Sequence, residues 1–103
     1  MKTLADFKRR MTVGTKIHSV YHRKIKGYSP LPNGGREPIY CDLDIGVRTI
    51  TRVNSKHFTF SNDSDGTWPL ASEIEINSPD SVSLFDTDWD TKKQFKYITY
   101  TFV

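Results

Sequence analysis

The sequence predicts an α+β domain in which β-structure dominates: a short N-terminal helix packed on a strongly bent five- to six-stranded antiparallel sheet or a small, partly open barrel. Three observations lead there. Runs rich in β-branched and aromatic residues occupy most of the chain and alternate in polarity. Clusters of Gly, Pro, Asn, Asp and Ser interrupt them roughly every 8 to 12 residues. Helical spacing of apolar side chains occurs only near the start, at Leu4, Phe7 and Met11.

The elements follow in order. Thr3 and Asp6 outline a helix cap, so residues 4 to 11 form an amphipathic helix whose last turn carries Lys8, Arg9 and Arg10, where cations suit the negative end of the dipole. Gly14 ends it. TKIHSVYHR, residues 15 to 23, reads as a first strand with Ile17, Ser19 and Tyr21 on one face and His18, Val20 and His22 on the other. Residues 27 to 38, GYSPLPNGGREP, hold so many prolines and glycines that a long loop or a protruding hairpin tip is expected. Two runs then form the clearest hairpin, Val47 to Val53 returning through Asn54-Ser55 into KHFTF. SNDSDG reads as a turn, and TWPLASEIEI as a strand that Pro69 breaks, leaving Glu73 to Ile76 regular. Val82 to Asp86 extends, DTDWDTKK turns, and Gln94 to Val103 closes the chain as a long strand.

A chain of 103 residues is one domain with one core. By surface scaling it should expose roughly 6,000 Å² when folded. Cys41 is the only cysteine, so no internal disulfide forms, and a free thiol suits a reducing cytosol. The N-terminus lacks the apolar core of a signal peptide, and no run approaches the roughly 20 residues of a membrane span. The expected location is the cytoplasm, without a membrane partner.

Charge is distributed unevenly. Residues 1 to 60 carry twelve Lys and Arg against four acids, whereas residues 61 to 103 carry three against eight. Such asymmetry favours an anionic partner or a self-complementary fold, which leaves a homo-oligomer open. The cations expected to form the partner-binding face are Lys8, Arg9, Arg10, Lys16, Arg23, Lys24, Lys26 and Arg36, with Arg48 and Arg52 nearby and Tyr21 and Tyr28 interleaved. Cations neutralise phosphates and tyrosines stack on bases, so the composition suits nucleic acid or an acidic protein surface. Trp68 and Trp89 lie beside turn residues; Trp68 is expected to fold back as a core plug, and Trp89 either does the same or anchors a partner.

Other chemistry is poorly supported. His18, His22, Cys41 and Asp42 are competent zinc ligands, but two histidines four apart on a strand stand about 13 Å from each other, too far for one ion. Asp86, Asp88 and Asp90 imitate the start of a calcium loop that then has Thr91 and Tyr97 where glycine and glutamate are needed. An acidic turn, solvated or docked on basic surface, explains them better. No nucleophile elbow, phosphate loop or paired-carboxylate motif occurs, and neither a cofactor nor an enzymatic activity is expected.

The opening LADFKRRMTVGTKI, the strand RTITRVNSKHFTF and the later TWPLASEIEI with its terminal Tyr/Phe strand are similar to small uncharacterised proteins of bacteriophages and other mobile elements. The resemblance implies a role against host defence, as in the anti-CRISPR inhibitors that bind a large host machine. Those inhibitors share no sequence with one another, so no residue is assigned through them. Many are acidic DNA mimics, whereas this chain is basic. The expected function is a non-enzymatic inhibitor that occludes a protein or protein-nucleic-acid complex of the host. A small nucleic-acid-binding barrel and a sponge for a nucleotide-derived signal are the alternatives.

Overall fold

The computed structural model describes residues 1 to 103. Helix α1 forms at Leu4–Arg10, where Thr3 Oγ1 accepts the Asp6 N–H and the Asp6 carboxylate accepts the N–H groups of Lys2 and Thr3. This reciprocal cap contributes about 1 kcal/mol. Gly14, at φ +94°, turns the chain out of the helix, and its N–H donates to the Ile50 carbonyl at 2.8 Å.

Seven strands follow: β1 (Lys16–Pro30), β2 (Arg36–Val53), β3 (His57–Phe60), β4 (Asp65–Thr67), β5 (Ile74–Ser78), β6 (Ser81–Thr87) and β7 (Gln94–Phe102). They make one antiparallel sheet in the order β4-β3-β2-β1-β7-β6-β5, curled into a half-barrel. The β-dominant α+β class is therefore as the sequence indicates, with seven strands in place of five to six. The additional one, β4, lies largely inside SNDSDG, a segment the sequence marks only as a turn.

Register explains the core. Ile17 faces Phe102 across the β1–β7 ladder, Ser19 faces Tyr100, and Tyr21 faces Ile98; on the other side of β7, Val82 faces Tyr100 and Leu84 faces Ile98. Residues directly opposite share a face, so one side of three strands presents a continuous apolar surface. Helix α1 closes it with Phe7, which is fully buried, lies parallel to Tyr100 at 6.5 Å and meets Phe102 and Trp68 edge-on at 6.2 Å. Trp68 folds back against the core while half-buried: its ring lies 4.8 Å from that of Phe58, and its Nε1–H donates to the Asn54 carbonyl at 2.7 Å.

Beyond Tyr21, β1 loses β7 and pairs only with β2. The two strands continue as a free ribbon, closed at Leu31–Gly35 by hydrogen bonds from Leu31 N–H to Gly35 O at 2.8 Å and from Gly34 N–H to Leu31 O at 3.0 Å. Nine residues of β1 from His22 to Pro30 carry it outward by about 30 Å. The molecule measures 50 × 27 × 25 Å, and its radius of gyration of 15.5 Å exceeds the roughly 13 Å of a compact chain this long. Its 6839 Å² of surface likewise exceeds the roughly 6,000 Å² that scaling gives. Of residues 27 to 38, only 31 to 35 are irregular, so Pro32 alone lies in the tip and the other two prolines end up inside strands. Pro30 and Pro38 are tolerated because the outer edge of a two-stranded ribbon requires no donor.

Candidate partner-binding surface

The cations that are neighbours in sequence are separated in space. Lys8, Arg9 and Arg10 lie on α1, and Lys16 begins β1 beside them, its carbonyl accepting the Val103 N–H. Lys24 lies eight positions further along β1, about 25 Å away. The single contiguous basic face expected from composition is thus two groups, one at the helix and one on the ribbon.

Most of the helix group is occupied internally. Arg9 pairs with Asp6. Arg10 donates from Nη1 to Asp80 Oδ1 and to the Pro79 carbonyl, both at 2.8 Å, while its guanidinium covers the Phe102 ring at 4.1 Å. Lys8 Nζ lies 5.8 Å from the centre of the Trp68 ring. The Arg10 contacts fasten α1 to the β5–β6 turn, and of these cations only Lys16 remains without a partner.

Arg23 sits at the root of the ribbon. A bulge between Tyr21 and Lys24 gives β1 one residue more than β2, and Arg23 takes φ +64° there, in the left-handed region that favours glycine. Its guanidinium lies 4.1 Å from the Phe95 ring and 4.7 Å from Tyr40, and Nη2 donates to Asp88 Oδ2 at 2.9 Å. Asp88 Oδ1 accepts the N–H groups of Asp90 and Thr91. The Arg23 hydrogen bond and those two N–H donors hold the Asp88 carboxyl below its ordinary pKa. The acidic turn is therefore docked on the chain's own basic region. Trp89, next in sequence, is 82% exposed and stands at the ribbon's root as a surface ring.

The distal group is different. Lys24, Lys26, Tyr28 and Arg36 are exposed, and none of the three cations has a carboxylate partner. Lys26 is the extra residue of a second bulge. Between them the register sets Ile25 against Tyr40, Tyr28 against Pro38 and Pro30 against Arg36, giving one apolar and aromatic face. Ile25 is 47% exposed, Tyr28 58%, and Ile39, Tyr40 and Leu43 between 42% and 46%. Sequence reasoning missed Ile25, Ile39, Tyr40 and Leu43, although apolar and aromatic residues at 25, 28, 39 and 40 flank Asn33-Gly34 on both sides.

On the opposite side of the sheet from the core, His18 Nε2 lies 2.7 Å from Asp44, and His22 Nδ1 lies 2.9 Å from Asp42. His22 Nε2 reaches Thr99 Oγ1 at 2.7 Å, Thr99 contacts Ser83 at 3.0 Å, and Ser83 accepts from Asn77 at 2.8 Å. The order carboxylate, imidazole, hydroxyl has the outline of a catalytic relay. Thr99, however, is mid-strand and laddered on both sides, so no free backbone N–H pair is available to hold an oxyanion. The network is a cross-strand tie. Each histidine takes its own aspartate, and no three His, Cys, Asp or Glu side chains converge into a metal-binding group.

Arg48 points into the half-barrel, while Arg52 is exposed on β2. No helix is long and apolar enough to cross a membrane. The chain matches no known family model, no curated protein and no solved structure.

Proposed function

We propose that the protein is a non-enzymatic binding module that lays its β1–β2 ribbon on a protein or protein-nucleic-acid surface and occludes it. The observation that carries this reading is the ribbon itself: about 30 Å of paired backbone that buries nothing of its own, presenting Ile25, Tyr28, Ile39, Tyr40 and Leu43 to solvent beside Lys24, Lys26 and Arg36. Leaving such side chains in water forgoes about 25 cal/mol for each Å² of apolar surface, and exposed apolar clusters with a polar border mark interaction sites. Aromatic rings and arginine are the residue types enriched at interface centres. The resemblance to small mobile-element proteins supports the inhibitory sense of the reading: a host defence complex of the cytosol is the partner such a module would block.

Direct nucleic-acid binding is the second reading, favoured by one geometric fact: a two-stranded ribbon fits the major groove. With three unpaired cations on the distal ribbon, the slope of log K against log salt would be about −3, and a protein partner held by apolar contacts would show less dependence. The experiment compares two ribbon variants, Ile25→Ser/Tyr28→Ser/Ile39→Ser and Lys24→Glu/Lys26→Glu/Arg36→Glu, in affinity capture from a nuclease-treated bacterial lysate. Loss of the captured partner in the serine variant, with an unchanged fold, supports the protein reading. Capture that vanishes with nuclease in the wild type supports nucleic acid. Equal capture by the wild type and both variants rejects the ribbon as the binding element.

A further inference from the structure

We infer that the inner side of the half-barrel holds a binding site for a small aromatic carboxylate, with Arg48 as its anion receptor. Arg48 lies directly across from Ile17 in the β1–β2 ladder and therefore faces inward, an uncommon place for a cation. A cavity of about 300 Å³ opens beside it, walled by Tyr21, Ile45, Phe60, Tyr97, Ile98 and Tyr100. That volume is at the lower end of ligand pockets and suits a single-ring molecule.

No carboxylate touches the cation of this cavity. The Arg48 guanidinium lies 3.8 Å over the Phe60 ring and donates to Ser64 Oγ at 2.6 Å and Ser19 Oγ at 3.0 Å. Both are neutral acceptors, and no carboxylate forms a salt bridge with it. Nε is buried without any hydrogen-bond partner. A guanidinium has five N–H donors, so capacity remains. A cation partly withdrawn from water with no carboxylate in contact carries a desolvation cost, and an anion entering the cavity beside it relieves that cost.

The remaining walls narrow the ligand class. Four aromatic rings and two isoleucines favour an apolar planar body. Arg48 and Tyr100 both line the cavity, and the Tyr100 hydroxyl makes no hydrogen bond within the chain. The phenol and the guanidinium are thus two donors for one carboxylate. Asp65 also lines the cavity, and its negative charge opposes a doubly charged anion such as a phosphate dianion more than a singly charged carboxylate held at the Arg48 end. This site is separate from the ribbon and its occupancy does not depend on the ribbon's role.

The test is a titration of the intact protein with benzoate, benzyl alcohol and acetate, followed by NMR of the Arg48 Nε–H and the Tyr100 ring. The expected result is saturable binding of benzoate that shifts both resonances, at least tenfold tighter than either the neutral ring or the ringless anion. Arg48→Gln should abolish the tenfold preference for benzoate over benzyl alcohol, and Arg48→Lys should retain part of it. Absence of a saturable benzoate shift in the wild type overturns the inference whatever the variants do, as does equal binding of the three probes. Inorganic phosphate binding more tightly than benzoate would overturn the assignment of ligand class.

Discussion

Arg23 and Asp88 stand 65 positions apart in sequence and meet at 2.9 Å, so the root of the ribbon is fastened to the turn between β6 and β7. The arginine keeps this contact while its own backbone is at φ +64°, where a non-glycine residue is strained. Arg23→Gly therefore relaxes the backbone and loosens the ribbon at once. Its expected signature is faster hydrogen exchange at ribbon amides, with β7 amides unaffected.

The same pair makes stability depend on acid. Arg23 first, then the N–H groups of Thr91 and Asp90, lower the Asp88 pKa, and His18 followed by the Gly46 N–H lowers that of Asp44. A depressed carboxyl stabilises the fold above the unfolded value, near pH 4, and the gain is lost as pH falls through the folded value. Asp88→Asn should lower Tm at neutral pH, and the difference from wild type should shrink to nothing in strong acid. A difference that persists there would mean the carboxylate charge is not involved.

Gly66 is a packing requirement rather than a turn requirement. A Cβ at this position would stand 2.3 Å from two atoms of the Phe58 ring, which is buried. Gly66→Ala should cost about 1 to 3 kcal/mol through overpacking. Combined with Phe58→Leu, the total should fall short of the sum of the single changes in a thermal or urea denaturation cycle.

Alkali should act through the inner face. Burial raises the pKa of Tyr97 and, further, that of Tyr100. A raised phenol stabilises the fold below the ordinary value near pH 10 and loses that contribution as pH climbs through the folded value. Tyrosinate absorbance should therefore show a late ionisation step that coincides with unfolding, and Tyr100→Phe should diminish it.

The ribbon can be removed without harm to the core. Ile25 and Tyr40 are directly opposed, so an Asn-Gly turn in place of residues 26 to 39 rejoins them in register. None of the deleted residues belongs to the buried set. Tm should stay within a few degrees, whereas a large drop would show that the distal ribbon supports the sheet.

Local features of the sequence were legible because their causes are local. Thr3 and Asp6 predict the cap, the alternation in residues 15 to 23 puts Ile17, Ser19 and Tyr21 on one face, and Val47 to Phe60 predicts a hairpin. The ribbon was less visible, since proline and glycine signal irregularity wherever the pairing partner is unknown, and only a hairpin whose outer edges meet nothing admits Pro30 and Pro38. The division of the cations was hidden for another reason. Strand residues eight apart are separated by about 25 Å, and the carboxylates that occupy Arg10 and Arg23 come from the far end of the chain. Charge counted along a sequence therefore overstates charge gathered on a surface. Arg48 shows the converse, because a cation that looks like one more member of a basic run faces an aromatic interior.

The curled sheet ends in β4, of three residues, and β5, of five. Margins so short give a neighbouring molecule little backbone to grip, which guards the body of the protein against stacking side to side in concentrated solution. The longer flanks of the ribbon are guarded by other means, Pro30 and Pro38 on the edges and bulges at Arg23 and Lys26. An extended peptide that approaches it therefore meets an interrupted row of donors, which hinders growth of a shared sheet from either flank.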